Sequence, residues 1–149
     1  MSKTATYHTT VRWTEEHWGH LEMGNGPQMA FAPPPDAQGY ENAFTPEDAF
    51  VAAANTCIML MFLWATKRFK LNLLAYECRA EGTKLIELDR TERFTHLRLY
   101  PQIKLATNGE REEVLLARAQ RALQTARKYS LVANSVTSEI SLEPTFVII

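Results

Sequence analysis

Polar and apolar residues alternate in several short stretches of the chain, a pattern typical of strands that are buried on one face. These stretches predict six strands, at Thr4 to Trp13, His20 to Met23, Gln28 to Phe31, Leu73 to Leu88, Arg93 to Leu105 and Ser138 to Ile149. A turn at 14–19 is expected between the first two strands, and the fourth and fifth are expected to form a long hairpin.

The fourth predicted strand has two chemically different faces, because side chains alternate along a strand. One face carries Leu74, Tyr76, Cys78 and Ala80, and the other carries Glu77, Arg79 and Glu81. The first face should pack on the core, so Cys78 is expected to point inward.

An almost uninterrupted apolar segment from Ala49 to Ala65 predicts a long central helix. Thr45 suits the N-cap and Pro46 the first helical position, and the helix should run to about Phe69. The apolar segment is shorter than the roughly 20 residues that cross a bilayer. Apolar residues lie on every side of the helix, so we expect it to be buried all round, with a second copy of the chain as its natural cover.

A second, amphipathic helix is predicted from Glu110 to Tyr129, with Val114, Leu115, Ala122 and Leu123 among its apolar positions. Ser130 can cap a further short helical turn. The order β-β-β-α-β-β-α-β lacks regular βαβ alternation, which favours an α+β fold with an antiparallel sheet and a long central helix. We expect the 149 residues to form one domain, 1–149.

Charge and composition exclude several classes of partner. The chain has 16 Lys and Arg against 17 Asp and Glu, a net charge of -1, and so offers no general attraction to nucleic acid or to an anionic membrane surface. The N-terminal residues lack the apolar segment of a secretory signal, and two cysteines are too few for a disulfide scaffold. We expect a cytoplasmic protein whose thiols are free.

The common cofactor and metal motifs are missing from the sequence, including glycine-rich phosphate loops, H-E-x-x-H and C-x-x-C. His17 and His20 have the spacing of H-x-x-H, but no further Cys or carboxylate completes a tetrahedral site around them. Neither a cofactor nor a bound metal is expected.

Cys57 stands out from this background. It ends the stretch TPEDAFVAAANTC, residues 45–57, in the middle of the predicted central helix. Taken alone, a cysteine in an apolar helix is more often a small buried hydrophobe than a nucleophile. Chemistry requires a thiolate that a nearby positive charge or hydrogen-bond donors stabilise, and the polar neighbours Asn55 and Thr56 are uncharged.

The stretch TPEDAFVAAANTC resembles the central-helix motif of the OsmC/Ohr superfamily, the osmotically inducible and organic-hydroperoxide-resistance proteins. The order of predicted elements along the whole chain is similar as well. The resemblance implies an α+β subunit that intertwines with a second copy as a homodimer, with both central helices in a shared core. It also implies that Cys57 attacks an organic hydroperoxide and that Glu47 is the acid of the site.

Two departures from the family pattern change this expectation. The family's peroxidases have a second, resolving cysteine where this chain has Ser130, and a hydroxyl cannot close a disulfide. The family's catalytic arginine lies in the N-terminal strand-turn region, where Arg12 and His17 are only loose candidates. Cys78 is an alternative resolving thiol, although its inward position favours a packed core residue.

Spacing adds a constraint on Glu47 and Cys57. They are ten residues apart, which is about 15 Å along a straight helix, so they cannot touch within one chain. If both serve one site, either the helix breaks or the acid comes from the partner chain.

Two functions are consistent with the sequence. The first is a one-cysteine peroxidase that reduces small organic hydroperoxides and depends on an external thiol. The second is a non-catalytic OsmC-fold dimer that binds a small apolar molecule and has lost turnover. In either case the loop from Ala32 to Phe44, together with Phe31 and Tyr40, could line an apolar entrance.

Overall fold

The computed structural model describes all 149 residues. They form two compact units, residues 1–50 and 51–149. The first contains β1 (Thr9–Glu15), β2 (Trp18–Met23), β3 (Gln28–Phe31) and a 3-10 turn at Pro35–Ala37. Helix α1 (Pro46–Arg68) begins there and continues into the second unit, which contains β4 (Asn72–Ile86), β5 (Glu92–Ala106), α2 (Glu112–Lys128), α3 (Leu131–Ser135), β6 (Glu139–Leu142) and β7 (Thr145–Ile148).

β1, β2 and β3 form an antiparallel sheet in that order, with a tighter first turn than expected. The turn predicted at 14–19 is present, but its bounds are too wide, because only Glu16 and His17 separate the two strands. Glu16 has a positive φ of 48°, a conformation that suits an abrupt reversal of the chain. β1 also starts later than predicted, since β2 ends at Met23, which is the partner of Thr9.

The loop before α1 is closed at its base by the backbone. Phe31 and Phe44 form an isolated bridge, and the Ala32 N–H donates to the Phe44 carbonyl at 3.0 Å. Thr45 then caps the helix: its Oγ1 accepts from the Asp48 N–H at 3.0 Å and donates to Asp48 Oδ2 at 3.1 Å. This cap satisfies one free N–H of the first turn, and it confirms the predicted helix start.

In the second unit, β4 and β5 form the long antiparallel hairpin that the alternation predicted. β6 and β7 both add to β5 in parallel, so the expectation of a wholly antiparallel sheet is wrong. The parallel pairing follows from α2 and α3, which carry the chain back toward the start of β5 before it re-enters the sheet.

The closing strand predicted from Ser138 to Ile149 is divided into two. The chain leaves the sheet at Glu143 and Pro144, between β6 and β7. The Glu143 N–H still donates to the Leu99 carbonyl at 2.8 Å, but Pro144 has no N–H with which to continue the ladder.

The core of the second unit is built by α1, α2 and β5. Its buried cluster consists of Phe62, Ala65, Ile103, Leu105, Leu115, Ala119, Ala122, Leu123 and Ala126. Four of its nine members are alanines, which contribute small apolar side chains to the cluster. Tyr76 of β4 packs against the cluster from the face that the sequence predicted to be inward.

α1 is not buried on every side within the single chain. Ala54, Ile58 and Phe62 face the core. Leu60 is 56% exposed and Trp64 is 42% exposed, so the opposite apolar face is only partly covered by its own chain.

Two residues assigned to apolar faces are exposed. Leu74 is the extra residue of a bulge between Leu73 and Ala75, which turns its side chain away from the inward face. Val114 lies on the outer side of α2, whereas its neighbour Leu115 is fully buried.

By length and composition alone, α1 is long and apolar enough to cross a membrane. It spans 23 residues, more than the apolar segment from which it was predicted. Core helices of soluble proteins pass the same test, so this property is weak evidence for a membrane span.

The neighbours Leu115 and Val114 provide a matched test of the core. Leu115→Ala should lower the free energy of unfolding by about 2–5 kcal/mol, because it removes buried contacts. Val114→Ala should change the free energy of unfolding by no more than about 0.5 kcal/mol. Urea unfolding followed by circular dichroism measures both values, and equal losses would contradict the orientation of α2.

Candidate functional site

The structure brings two of the predicted site residues, Cys57 and Ser130, into direct contact. The Ser130 hydroxyl donates a hydrogen bond to the Cys57 sulfur, with Oγ and Sγ 3.1 Å apart. Cys57 is half-buried in the middle of α1. Ser130 lies at the junction of α2 and α3 and is 0% exposed. The contact therefore joins the central helix to a junction that lies 73 residues later in the chain.

The junction holds Ser130 in place through its own hydrogen bonds. Ser130 is the N-cap of α3, as predicted: its Oγ accepts from the Ala133 N–H at 3.2 Å. The Asn134 N–H donates to the Ser130 carbonyl at 3.0 Å. The Ser130 N–H donates to the Arg127 carbonyl at 3.3 Å, at the end of α2. Backbone and side chain are thus both fixed next to the sulfur.

Aromatic contacts fasten the same junction to α1. Trp64 packs edge-on against Tyr129, with ring centroids 5.7 Å apart. The Arg68 guanidinium lies 5.5 Å from the Trp64 ring centroid, and the Lys128 ammonium lies 5.3 Å from that of Tyr129. Trp64 follows Cys57 by seven residues, about two helical turns, so both residues lie on the same side of α1.

Sequence reasoning missed this aromatic pair. The spacing of Cys57 and Trp64 along the helix was a usable signal, as was the position of Tyr129 immediately before Ser130. Neither signal identifies the partner, because the two rings lie on elements that are distant in sequence.

Glu47 lies in the first turn of α1, far along the helix axis from Cys57. The helix is continuous from Pro46 to Arg68, so the alternative in which it breaks between the two residues is wrong. At about 1.5 Å of rise per residue, their separation along the axis is about 15 Å. One chain does not bring this acid to its own sulfur.

The N-terminal candidates for a catalytic cation are placed in the first unit. Arg12 of β1 forms an ion pair with Glu22 of β2, at 2.9 Å between Nη2 and Oε1. The hydrogen bond from Arg12 is the main reason that the pKa of Glu22 is lowered. His17 lies in the tight turn between these strands.

In the loop before α1, Tyr40 is tied to the first hairpin. Its ring stacks on Trp18 with centroids 4.9 Å apart, and its hydroxyl donates to Glu16 Oε2 at 3.0 Å. That hydrogen bond is the largest cause of a raised pKa of Tyr40. Tyr40 therefore has a structural partner, and its role as a lining residue stays a prediction.

Cys78 lies on β4 and is half-buried, on the same face as Tyr76. Burial raises the pKa of the Cys78 thiol above its ordinary value, so the thiolate needed for redox chemistry is disfavoured there. The backbone beside it is fixed by the Asn55 side chain, whose Nδ2 donates to the Cys78 carbonyl at 3.1 Å. Both features agree with a packed cysteine.

No group of three or more His, Cys, Asp or Glu side chains is arranged to hold a metal ion.

The chain matches the family model described as OsmC-like protein over residues 39–145. This match covers most of the sequence, including α1 and the residues Cys57 and Ser130. The chain belongs to the OsmC-like protein family. No curated protein matches the sequence.

Solved structures show the same fold. An OsmC-like protein of unknown function from Vibrio cholerae is 21% identical, with a TM-score of 0.84 over 95% of this chain and 100% of that one. An organic hydroperoxide resistance protein from Elizabethkingia anophelis is 18% identical, with a TM-score of 0.74 over 100% of both chains. A third, the organic hydroperoxide resistance protein OsmC of Legionella pneumophila, is 16% identical, with a TM-score of 0.73 over 97% of this chain and 98% of that one.

These likenesses confirm the predicted α+β class and its OsmC-like architecture. At such low identity they show the fold alone. The homodimer, the single domain and the roles of the site residues stay predictions.

The raised pKa of Cys78 is testable in the Cys57→Ser variant, in which Cys78 is the remaining thiol. Because a raised pKa leaves less thiolate at any given pH, the pH midpoint of alkylation by iodoacetamide should be higher in the folded protein than in urea. Rates measured from pH 7 to pH 11 by mass spectrometry give both midpoints. Coincident midpoints would show that the fold does not disfavour this thiolate.

Proposed function

We propose that this chain forms a homodimeric, cytoplasmic peroxidase that reduces small organic hydroperoxides through Cys57. The observation that carries the proposal is the 3.1 Å contact between the Ser130 hydroxyl and the Cys57 sulfur. By the resemblance to the family's peroxidases, Ser130 occupies the position of their second cysteine, and a resolving thiol must lie beside the attacking one. The names of the structurally similar Elizabethkingia and Legionella proteins support the reaction class.

In the proposed first step, the Cys57 thiolate attacks the terminal oxygen of the hydroperoxide. A sulfur–oxygen bond forms while the O–O bond breaks, and the electron pair of that bond leaves with the alkoxide. The alkoxide takes a proton from solvent and becomes the alcohol. The sulfur is oxidised to a sulfenic acid and the peroxide is reduced.

The second step requires a reductant from outside the chain. Ser130 cannot form a disulfide, and the thiolate of Cys78 is disfavoured by burial. An external thiol condenses with the sulfenic acid, releasing water and leaving a mixed disulfide on Cys57. A second external thiol then attacks the external sulfur of this disulfide. The two external thiols leave joined as a disulfide, and Cys57 is released as a thiol.

In this proposal, a second copy of the chain supplies a cover for the outer face of α1 and an acid next to Cys57. The outer face of α1 exposes Leu60 and Trp64, which are unusual on a solvated helix surface. An intertwined dimer covers this face. It also permits Glu47 of one chain to reach Cys57 of the other, which the continuous helix prevents within one chain.

The competing function is binding without turnover. It is favoured by the hydroxyl at position 130, which removes the internal redox partner, and by the ion pair that already engages Arg12. In this case the thiol of Cys57 contacts an apolar ligand and is not consumed.

Direct trapping of the oxidised sulfur separates the two functions. After exposure of the folded protein to cumene hydroperoxide, dimedone should label Cys57 as a sulfenic acid adduct detected by mass spectrometry. The Cys57→Ser variant serves as the control and should give no adduct at that position. If folded protein resists labelling while the urea-unfolded chain is labelled, the peroxidase proposal is rejected and the binding alternative is favoured.

Mixed dimers test the origin of the acid. We expect Glu47→Gln and Cys57→Ser proteins each to be impaired, because every site in them lacks one member. Co-expression with two different tags yields mixed dimers in which one site combines Cys57 of one chain with Glu47 of the other. These dimers should recover about half of the wild-type peroxidase rate.

The control for this experiment is each variant expressed with both tags. Mixed dimers that are no more active than the single variants would exclude an acid donated across the interface. A mass near the 17.0 kDa of one chain in light scattering would exclude the dimer itself.

A further inference from the structure

Ser130 is a buried polar residue with a hydrogen bond on each side of its oxygen. Its side chain accepts from the Ala133 N–H and donates to the Cys57 sulfur. A hydroxyl has one hydrogen to donate and two lone pairs to accept with. The backbone N–H occupies one lone pair, and the only acceptor beside the hydroxyl hydrogen is the Cys57 sulfur. A thiolate has no hydrogen of its own, so with ionised Cys57 the contact must use the hydrogen of Ser130.

The direction of this bond matters for the charge on Cys57. A hydrogen bond to an ionised acceptor is roughly twice as strong as one between neutral groups. A hydroxyl that points at sulfur therefore favours the thiolate over the thiol. Because Ser130 is 0% exposed, water does not compete for its hydrogen.

The arrangement also fixes where the hydrogen points. Ser130 caps α3 through its oxygen and is anchored to α2 through its backbone N–H. The edge-on contact between Trp64 and Tyr129 holds the adjoining residue against α1. The hydroxyl thus reaches the sulfur without the loss of freedom that a mobile side chain would incur.

We infer that Ser130 is a positioning residue that donates a hydrogen bond to the Cys57 thiolate. Its role is electrostatic, at the position where the family's peroxidases carry a redox-active cysteine. Its consequence for peroxide reduction rests on the proposed function. The effect on the thiol does not, because it precedes any reaction with substrate.

The test measures thiol reactivity against pH in a Cys78→Ser background, where Cys57 is the only thiol. Ser130→Ala removes the hydroxyl, and the alkylation rate of Cys57 by iodoacetamide near neutral pH should fall about tenfold, consistent with the typical strength of a hydrogen bond to a charged group. The pH midpoint of the rate should rise accordingly. Ser130→Thr keeps a hydroxyl and should restore the midpoint.

Ser135→Ala is the matched control, because Ser135 belongs to the same short helix and donates to the Leu131 carbonyl at 2.7 Å. It should leave the pH midpoint of Cys57 unchanged. An unchanged midpoint in Ser130→Ala would overturn the inference. An equal shift in Ser135→Ala would also overturn it, by assigning the effect to α3 as a whole.

A further variant keeps the inference testable if Ser130→Ala does not fold. In Ser130→Cys, mild oxidation should join the introduced thiol to Cys57, since the present Oγ–Sγ distance of 3.1 Å requires only a small approach to bonding distance. Thiols that stay free after oxidation would refute the contact itself. Failure of sulfenic acid trapping, together with a shifted midpoint in Ser130→Ala, would reject the peroxidase while leaving the role of Ser130 intact.

Discussion

The hydrogen bond between the Ser130 hydroxyl and the Cys57 sulfur is the contact on which the candidate site depends. It connects a helix in the middle of the chain to a junction near its end. Helix α2 stops at Lys128 and α3 starts at Leu131, so two residues lie between them and the second is the capping serine. The packing of Trp64 on Tyr129 holds that junction against α1. The N-cap of α3 and the sulfur of Cys57 are thereby held next to each other, although they are distant in sequence.

Local signals in the sequence were enough to predict much of the fold. The cap at Thr45, the long helix and the β4–β5 hairpin depend on neighbouring residues, and the structure confirms them. The bulge at Leu74 and the interruption at Pro144 were missed, because alternation is read residue by residue while pairing depends on the opposite strand. The parallel course of the last strands was missed for the same reason, since direction follows from the path of the crossover.

The candidate site was likewise predictable only in its local features. Cys57 as the candidate site residue and the capping role of Ser130 could be inferred from motif and residue type, and the structure confirms the cap. Their contact could not, because hydrogen bonds between residues so distant in sequence depend on how α2 packs on the core. The exposed face of α1 shows most clearly what a hydrophobic pattern cannot predict. Apolar residues on every side of a helix indicate how much surface should be buried, but not whether the same chain buries it.

The parallel addition of β6 and β7 to β5 also has a consequence for biosynthesis. The backbone N–H and C=O groups on both edges of β5 can form their hydrogen bonds only after a segment about forty residues downstream has left the ribosome. Until then one side of that strand presents open amide and carbonyl groups, which attract other strands. The nascent chain must therefore delay completion of its sheet until β6 and β7 have been made, although the α2 segment, which shares the buried cluster with β5, is made before them.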